Sequence, residues 1–160
     1  MSGEASSLRV GFGYDSHRFA EDRPLILGGV EIPHDRGLGG HSDADVVTHA
    51  VIDALLGACG LGDIGDSFPP SDERWRDADS IGLLEDVLGR LGGAPVNVDI
   101  TIVCEEPNLG TRKALIADRL GAVIGVPVSV KATTNERMGA IGRGEGIAAM
   151  AVVLVDVAAA

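Results

Sequence analysis

The chain has 160 residues, of which 45% are apolar, 3% aromatic and 23% charged, and its formal net charge is -11. That length suits one domain with its own aliphatic core, and the negative charge argues against sequence-independent binding to nucleic acid or acidic membranes. Cys59 and Cys104 form no C-x-x-C pair or disulfide framework, and no apolar run resembles a signal peptide or membrane span, which predicts a soluble, cytoplasmic protein.

Residues 8–14 (LRVGFGY) alternate apolar with small or polar side chains, and 25–32 (LILGGVEI) is a second strand candidate broken at Gly28 and Gly29. Over 44–58, apolar Val47, Val51, Ala54, Leu55 and Ala58 recur with helical period, with Ser42 or Asp43 placed to cap the N-terminus. A second helix is expected over 80–91. Val96, Val98, Ile100 and Ile102 alternate with polar neighbours in a half-buried strand. Thr111 opens a third helix that turns Leu115, Ile116, Leu120 and Val123 inward, and Val126, Val128 and Val130 mark another strand. A glycine-rich loop covers 133–146, and 147–157 (IAAMAVVLVDV) is the last strand. The order is β, β, α, α, β, α, β, β in one domain spanning 1–160, with 1–8 expected to be a flexible N-terminus.

The last strand is apolar at nearly every position, so both its faces should be covered. Helices cover one face of the sheet. The second is read as buried against another subunit, with a layer of loops as the alternative.

Asp15 and His17 are two apart in a strand and project to the same side, where they can bind one ion. A surface turn would show the same spacing. His49 is a third candidate ligand, on a polar stripe with Asp45 and Asp53 that reads equally as a solvated face. All four histidines, His17, His34, His41 and His49, fall between 17 and 49, which favours a metal site, with His34 beside Pro33 taken as surface. The loop TTNERMGAIGRGEG combines Thr133, Thr134, Glu136 and Arg143 with glycines that let backbone approach phosphate oxygens. It leads into a strand and lacks a Gly-Lys-Ser/Thr ending, so it is neither a dinucleotide fingerprint nor a P-loop. A mobile hairpin is the plainer reading.

Four blocks, GYDSH, GGHSDADVVTHAVIDALLGA, LGDIGDSFP and KATTNERMGAIGRGEG, together resemble the 2-C-methyl-D-erythritol 2,4-cyclodiphosphate synthases of the non-mevalonate isoprenoid pathway, over about 9–155. The resemblance implies an α+β fold, a four-stranded mixed sheet of ferredoxin-like core with helices on one face and the other face packed in a homotrimer whose active sites lie between subunits. It implies zinc on Asp15, His17 and His49, and a second divalent cation, Mg²⁺ or Mn²⁺, at Glu136. His41 and Thr134 match the transition-state stabilisers. Asp63, Ile64 and Gly65 match the segment that holds the methylerythritol hydroxyls, with Ser42, Phe68 and Asp72 as further substrate contacts. Thr133 and the 104–110 stretch, including Cys104, Pro107 and Leu109, match the cytidine pocket, and Arg143 an arginine facing the axial cavity. Asn108 lies in a shortened pocket loop, and Pro70, Asn135 and Ala140 replace a common Asp, Thr and aromatic residue.

The reaction so implied converts 4-diphosphocytidyl-2-C-methyl-D-erythritol 2-phosphate to the 2,4-cyclodiphosphate with release of CMP, a phosphorus-oxygen lyase activity. The substrate's 2-phosphate is the nucleophile and is largely dianionic at neutral pH, so no strong general base is needed. The competing readings are a zinc hydrolase, which yields a linear product, and an isoprenoid-diphosphate-binding trimer with structural zinc.

Overall fold

A computed structural model describes residues 7–158. The chain runs β1 (Leu8–Ala20), β2 (Leu25–Leu27), β3 (Val30–Ile32), β4 (Gly37–Leu38), α1 (Val46–Cys59), α2 (Ile64–Ser67), a 3-10 turn (Glu73–Trp75), α3 (Ser80–Leu88), β5 (Ala94–Val103), α4 (Arg112–Ile124), β6 (Val128–Thr133), α5 (Gly139–Gly142) and β7 (Gly146–Asp156). The expected flexible stretch over 1–8 falls outside the described residues as far as residue 6, whereas Leu8 is already paired with Asp156.

The sheet has five strands, in the order β4-β1-β7-β5-β6, where four were expected. The extra one is β4, whose Gly37 and Leu38 pair with Ala20 and Phe19 because β1 continues well past its alternating segment. Two residues are too few to carry a readable period. Among the described residues only β5 and β6 run parallel, and α4 makes the crossover between them. The 25–32 segment is likewise two strands rather than one: Gly28 and Gly29, at φ of 60° and 70°, reverse the chain into a separate β2–β3 hairpin. Within the glycine-rich loop, 139–142 forms the short α5.

Helix α1 packs on β1, β7 and β5, α4 packs on β6, and α3 bridges α1 and α4. The approach of α1 to β1 depends on missing side chains. A Cβ on Gly11 would lie 1.8 Å from the Ala54 carbonyl oxygen, and one on Gly13 1.9 Å from that of Ala50. The strand's alternate residues face the other way, leaving Val10, Phe12 and Tyr14 at 69%, 61% and 54% exposure. Strand β7 is buried throughout Gly146–Ala149 and alternates beyond, with Ala151, Val153 and Val155 buried and Val152 exposed. One sheet face is thus the core, and the other presents apolar side chains in the single subunit.

The polar stripe expected along α1 is not a solvated face. Asp45 is fully buried and caps the helix in place of Ser42 or Asp43, accepting from the Val47 and Thr48 amides and the Thr48 hydroxyl. Its carboxylate also accepts from the Gly28 and Gly29 amides at 2.8 and 2.7 Å, tying the hairpin to the helix N-terminus. Asp43 and Ser42 lie two and three residues too early, because Ala44, at φ 57°, leaves the helical path. Helix α3 stops at Leu88, short of the expected 91. No helix among the described residues is long and apolar enough to cross a membrane.

Candidate active site and metal centre

Strand β1 brings Asp15 and His17 to one side, and the close approach of α1 sets His49 against them. His17 Nε2 lies 2.9 Å and His49 Nδ1 3.1 Å from Asp15 Oδ2, and the two ring nitrogens are 3.3 Å apart. Among the described residues these three form a group with all ligand atoms within 4.8 Å of one another, the donor set of an open three-ligand metal centre. The His17 ring is oriented for that task. Its Nδ1 is 3.0 Å from the Gly39 carbonyl, which can only accept, so Nδ1 carries the proton and Nε2 presents its lone pair.

Burial alone would raise the Asp15 carboxyl, but hydrogen bonds and charge from His17 and His49 outweigh it and hold Asp15 well below the usual carboxylate range. Burial would likewise lower His17, yet its bond and attraction to Asp15, with the Gly39 carbonyl and the charge of Asp45, raise it. Asp15 is therefore an anion at neutral pH. That is the state that binds a cation.

The triad lines a cavity of about 250 Å³ whose other walls include His41, Ser42, Ile64, Gly65, Phe68 and Trp75. His41 Nε2 and Trp75 Nε1 are buried without hydrogen-bond partners, and Trp75 meets Phe68 edge to face at 5.0 Å. Buried polar atoms left unpaired are rare, and a ligand is one way to satisfy them. Of the residues expected around the methylerythritol, Asp63 and Asp72 do not line this cavity. Asp63 is exposed and caps α2 through the Asp66 amide, while the Asp72 carboxylate is engaged by Arg74, which lowers it. His34, expected at the surface, is half-buried with its ring 5.3 Å from Phe19.

A second cavity of about 240 Å³ gathers Cys104, Pro107, Asn108, Leu109, Thr133 and Thr134, between the ends of β5 and β6 and the start of α4. Burial and the neighbouring Glu105 push the Cys104 thiol up to about 11, so it stays protonated and donates weakly to the Pro107 carbonyl. Glu136 does not line this cavity, but lies two residues beyond Thr134 with φ 50° and accepts from Thr134 Oγ1 at 3.4 Å. Arg143 lies apart, in a hollow with Arg36, Glu105 and Arg137, and donates to Glu145 at 2.7 Å. The first two cavities share no lining residue.

Sequence reasoning did not single out Trp75 and Leu83, which line the first cavity, or Ser80, which meets His49 from outside it, and it named Asp53 only as part of the polar stripe. Asp53 accepts from the Ile64 amide at 2.8 Å and so fixes α2 beside the candidate ligands; burial, with the charges of Asp63 and Asp15, raises its carboxyl. Its place one turn after His49 was the available signal. Nothing local marks Ser80.

Comparison with known proteins agrees with this arrangement. The family model described as the YgbB family matches residues 8–156. A 2-C-methyl-D-erythritol 2,4-cyclodiphosphate synthase of Symbiobacterium thermophilum is 59% identical over 154 residues, covering 92% of this chain and 98% of the relative. A solved structure of such a synthase, in a bound form with CDP, superposes with a TM-score of 0.84 at 36% identity, covering 92% of this chain and 100% of that one. The bifunctional IspDF of Campylobacter jejuni gives a TM-score of 0.89 at 38% identity, over 92% of this chain and 42% of that longer one. Matched by the family model along nearly its whole length, and by relatives sharing more than half its residues, the chain belongs to the YgbB family.

Proposed function

We propose that this protein is a 2-C-methyl-D-erythritol 2,4-cyclodiphosphate synthase, a lyase that closes 4-diphosphocytidyl-2-C-methyl-D-erythritol 2-phosphate into the cyclic diphosphate and releases CMP. The observation that carries this reading is the convergence of Asp15 Oδ2, His17 Nε2 and His49 Nδ1 in a cavity walled by the 64–68 segment. The relatives so named, and the CDP held by one of them, supply the substrate class.

The donor set of two imidazoles and one carboxylate suits zinc, and the single exposed carboxylate of Glu136 suits Mg²⁺ or Mn²⁺ completed by substrate phosphates. Bound there, zinc held by Asp15, His17 and His49 would supply Lewis acidity toward a phosphate oxygen, and a divalent ion held by Glu136 would offset charge on the diphosphate. The chain's own groups do the rest. The 2-phosphate oxygen forms a bond to the β-phosphorus, and the bond from that phosphorus to the bridging oxygen breaks, leaving its electron pair on CMP. His41, with its unpartnered Nε2, donates to a phosphate oxygen, and Thr134 does so from the other half of the site. Ile64 and Gly65 hold the methylerythritol with Ser42 and Phe68, while Asp63 and Asp72 join them after releasing their present partners. The 104–109 wall and Thr133 hold cytidine with a neutral thiol beside it. Held bent, the substrate reacts intramolecularly, which is worth up to about 7–11 kcal/mol.

The two cavities have separate linings, so the reading requires a neighbouring copy to bring a cytidine half to each metal half. The apolar face formed by Val10, Phe12, Tyr14 and Val152 supports such a contact, and the homotrimer is part of this proposal, as is a cytoplasmic setting for its free cysteines. Arg143 then faces the axis. Phosphorus NMR of zinc-loaded protein with substrate and Mg²⁺ tests the reading. Cyclic diphosphate and CMP, both abolished by chelator, are expected; a linear product carrying solvent oxygen, or no CMP, refutes it.

A further inference from the structure

Two hydroxyls approach His49 Nε2, Ser80 Oγ at 2.9 Å and Ser42 Oγ at 3.1 Å. They are not equivalent. Ser80 is fully buried at the start of α3 and is gripped twice by the Asp43 carboxylate: its amide donates to Asp43 Oδ2 at 3.0 Å, and its hydroxyl donates to Asp43 Oδ1 in a shorter contact. Asp43 is itself held by the Asp45 amide at 3.1 Å, at the foot of α1. A carboxylate only accepts, and a serine hydroxyl has a single proton. With that proton committed to Asp43, Ser80 turns a lone pair toward His49. His49 Nε2 must then carry the imidazole proton, because the other tautomer would set two lone pairs against each other across 2.9 Å in a buried site. Ser42 has no carboxylate bound to its oxygen and, besides His49, meets the Ala44 amide, from which it accepts at 3.2 Å, so its hydroxyl proton is free to reorient.

We propose that Asp43 and Ser80 are positioning residues that hold His49 in the tautomer with a bare Nδ1 and aim that nitrogen at Asp15 and His17. Neither residue lines the metal cavity. The relay spans from the foot of α1 to the start of α3, so the packing of two helices prepares the ligand before any ion arrives. Gly39 does the same for His17 from the opposite side. This inference rests on the metal-dependent reading of the site, and it assigns the third ligand's orientation to residues outside it.

The test uses full-length Ser80→Ala and Ser42→Ala in chelator competition for zinc, with nitrogen NMR of the histidine-labelled, metal-free wild type at about pH 8, above the ordinary imidazole pKa. Loss of this outer partner is expected to raise the zinc Kd about 10–100-fold in Ser80→Ala, and Ser42→Ala to change it by less than about 3-fold. The wild-type spectrum should show His49 protonated at Nε2 and bare at Nδ1. Equal effects of the two variants, an unchanged Kd in Ser80→Ala, or a proton on Nδ1 would each overturn the relay. The spectrum needs neither variant nor metal, so it decides the matter even if Ser80→Ala does not fold. A wild type with the expected tautomer that binds no zinc would support the relay and refute the proposed function.

Discussion

Substituting Gly13 by alanine tests whether the proposed metal ligands are spaced by backbone contact. The added Cβ would sit 1.9 Å from the Ala50 carbonyl oxygen, and reaching the 3.4 Å of ordinary contact requires α1 to retreat from β1 by about 1.5 Å. Ala50 follows His49 directly, while Asp15 and His17 ride on the same strand as Gly13, so the retreat pulls one ligand away from the other two. Metal sites tolerate about 0.2 Å in ligand distance, and a 1 Å misplacement typically costs about 100-fold in rate. Overpacking itself costs about 1–3 kcal/mol or more. Gly13→Ala is therefore expected to lose zinc affinity and at least about 100-fold in activity, beyond what its loss of stability explains. Zinc competition and CMP release, measured at a temperature where circular dichroism shows the variant folded, provide the assay. A folded Gly13→Ala with wild-type zinc affinity would refute the claim that this glycine sets the geometry of the site.

His49→Ala should abolish zinc binding and turnover, whereas Glu136→Gln should keep zinc and weaken the response to added Mg²⁺ or Mn²⁺; identical behaviour of the two variants would sink the division of labour between two ions. Phe12→Asp places a charge on the open apolar face, where Phe12 is 61% exposed, and should yield monomers by size-exclusion chromatography with little CMP release. Unchanged assembly would mean that this face is not the contact between copies. In the metal-free protein the raised His17 contributes stability that is fully present below its unfolded pKa near 6.5 and is lost as pH rises through its higher folded value. Urea midpoints should thus fall over that window in the wild type and stay flat in His17→Gln; a slope that survives the substitution would place the titrating group elsewhere.

Much of the fold was legible in short-range pattern. Alternation in 96–103 and the 3.6-residue recurrence in 44–58 became β5 and α1, because both report which face of a local element is apolar. The pleat also placed Asp15 and His17 on one side, and the blocks around them carried the family. What local pattern concealed depends on partners far along the chain. Gly28 and Gly29 read as a break in one strand; the hairpin they make is held by the carboxylate of Asp45. The same residue read as part of a polar stripe is buried, with five donors from two elements on its carboxylate, although burial still raises it.

Composition and periodicity by themselves determined one acidic, aliphatic domain of mixed strands and helices and the candidate ligands by type, while the α+β class and the polyanionic substrate came with the family resemblance. Tertiary structure decided which of those ligands meet. His49 lies 34 residues from Asp15 in sequence, and Ser80 lies 37 from Asp43, so neither contact leaves a trace in local spacing. Both follow from where α1 rests on glycines of β1 and where α3 begins. The physical reason is that a period records the environment of a face, whereas coordination and tautomer depend on distances of a few tenths of an ångström between side chains that only packing brings together.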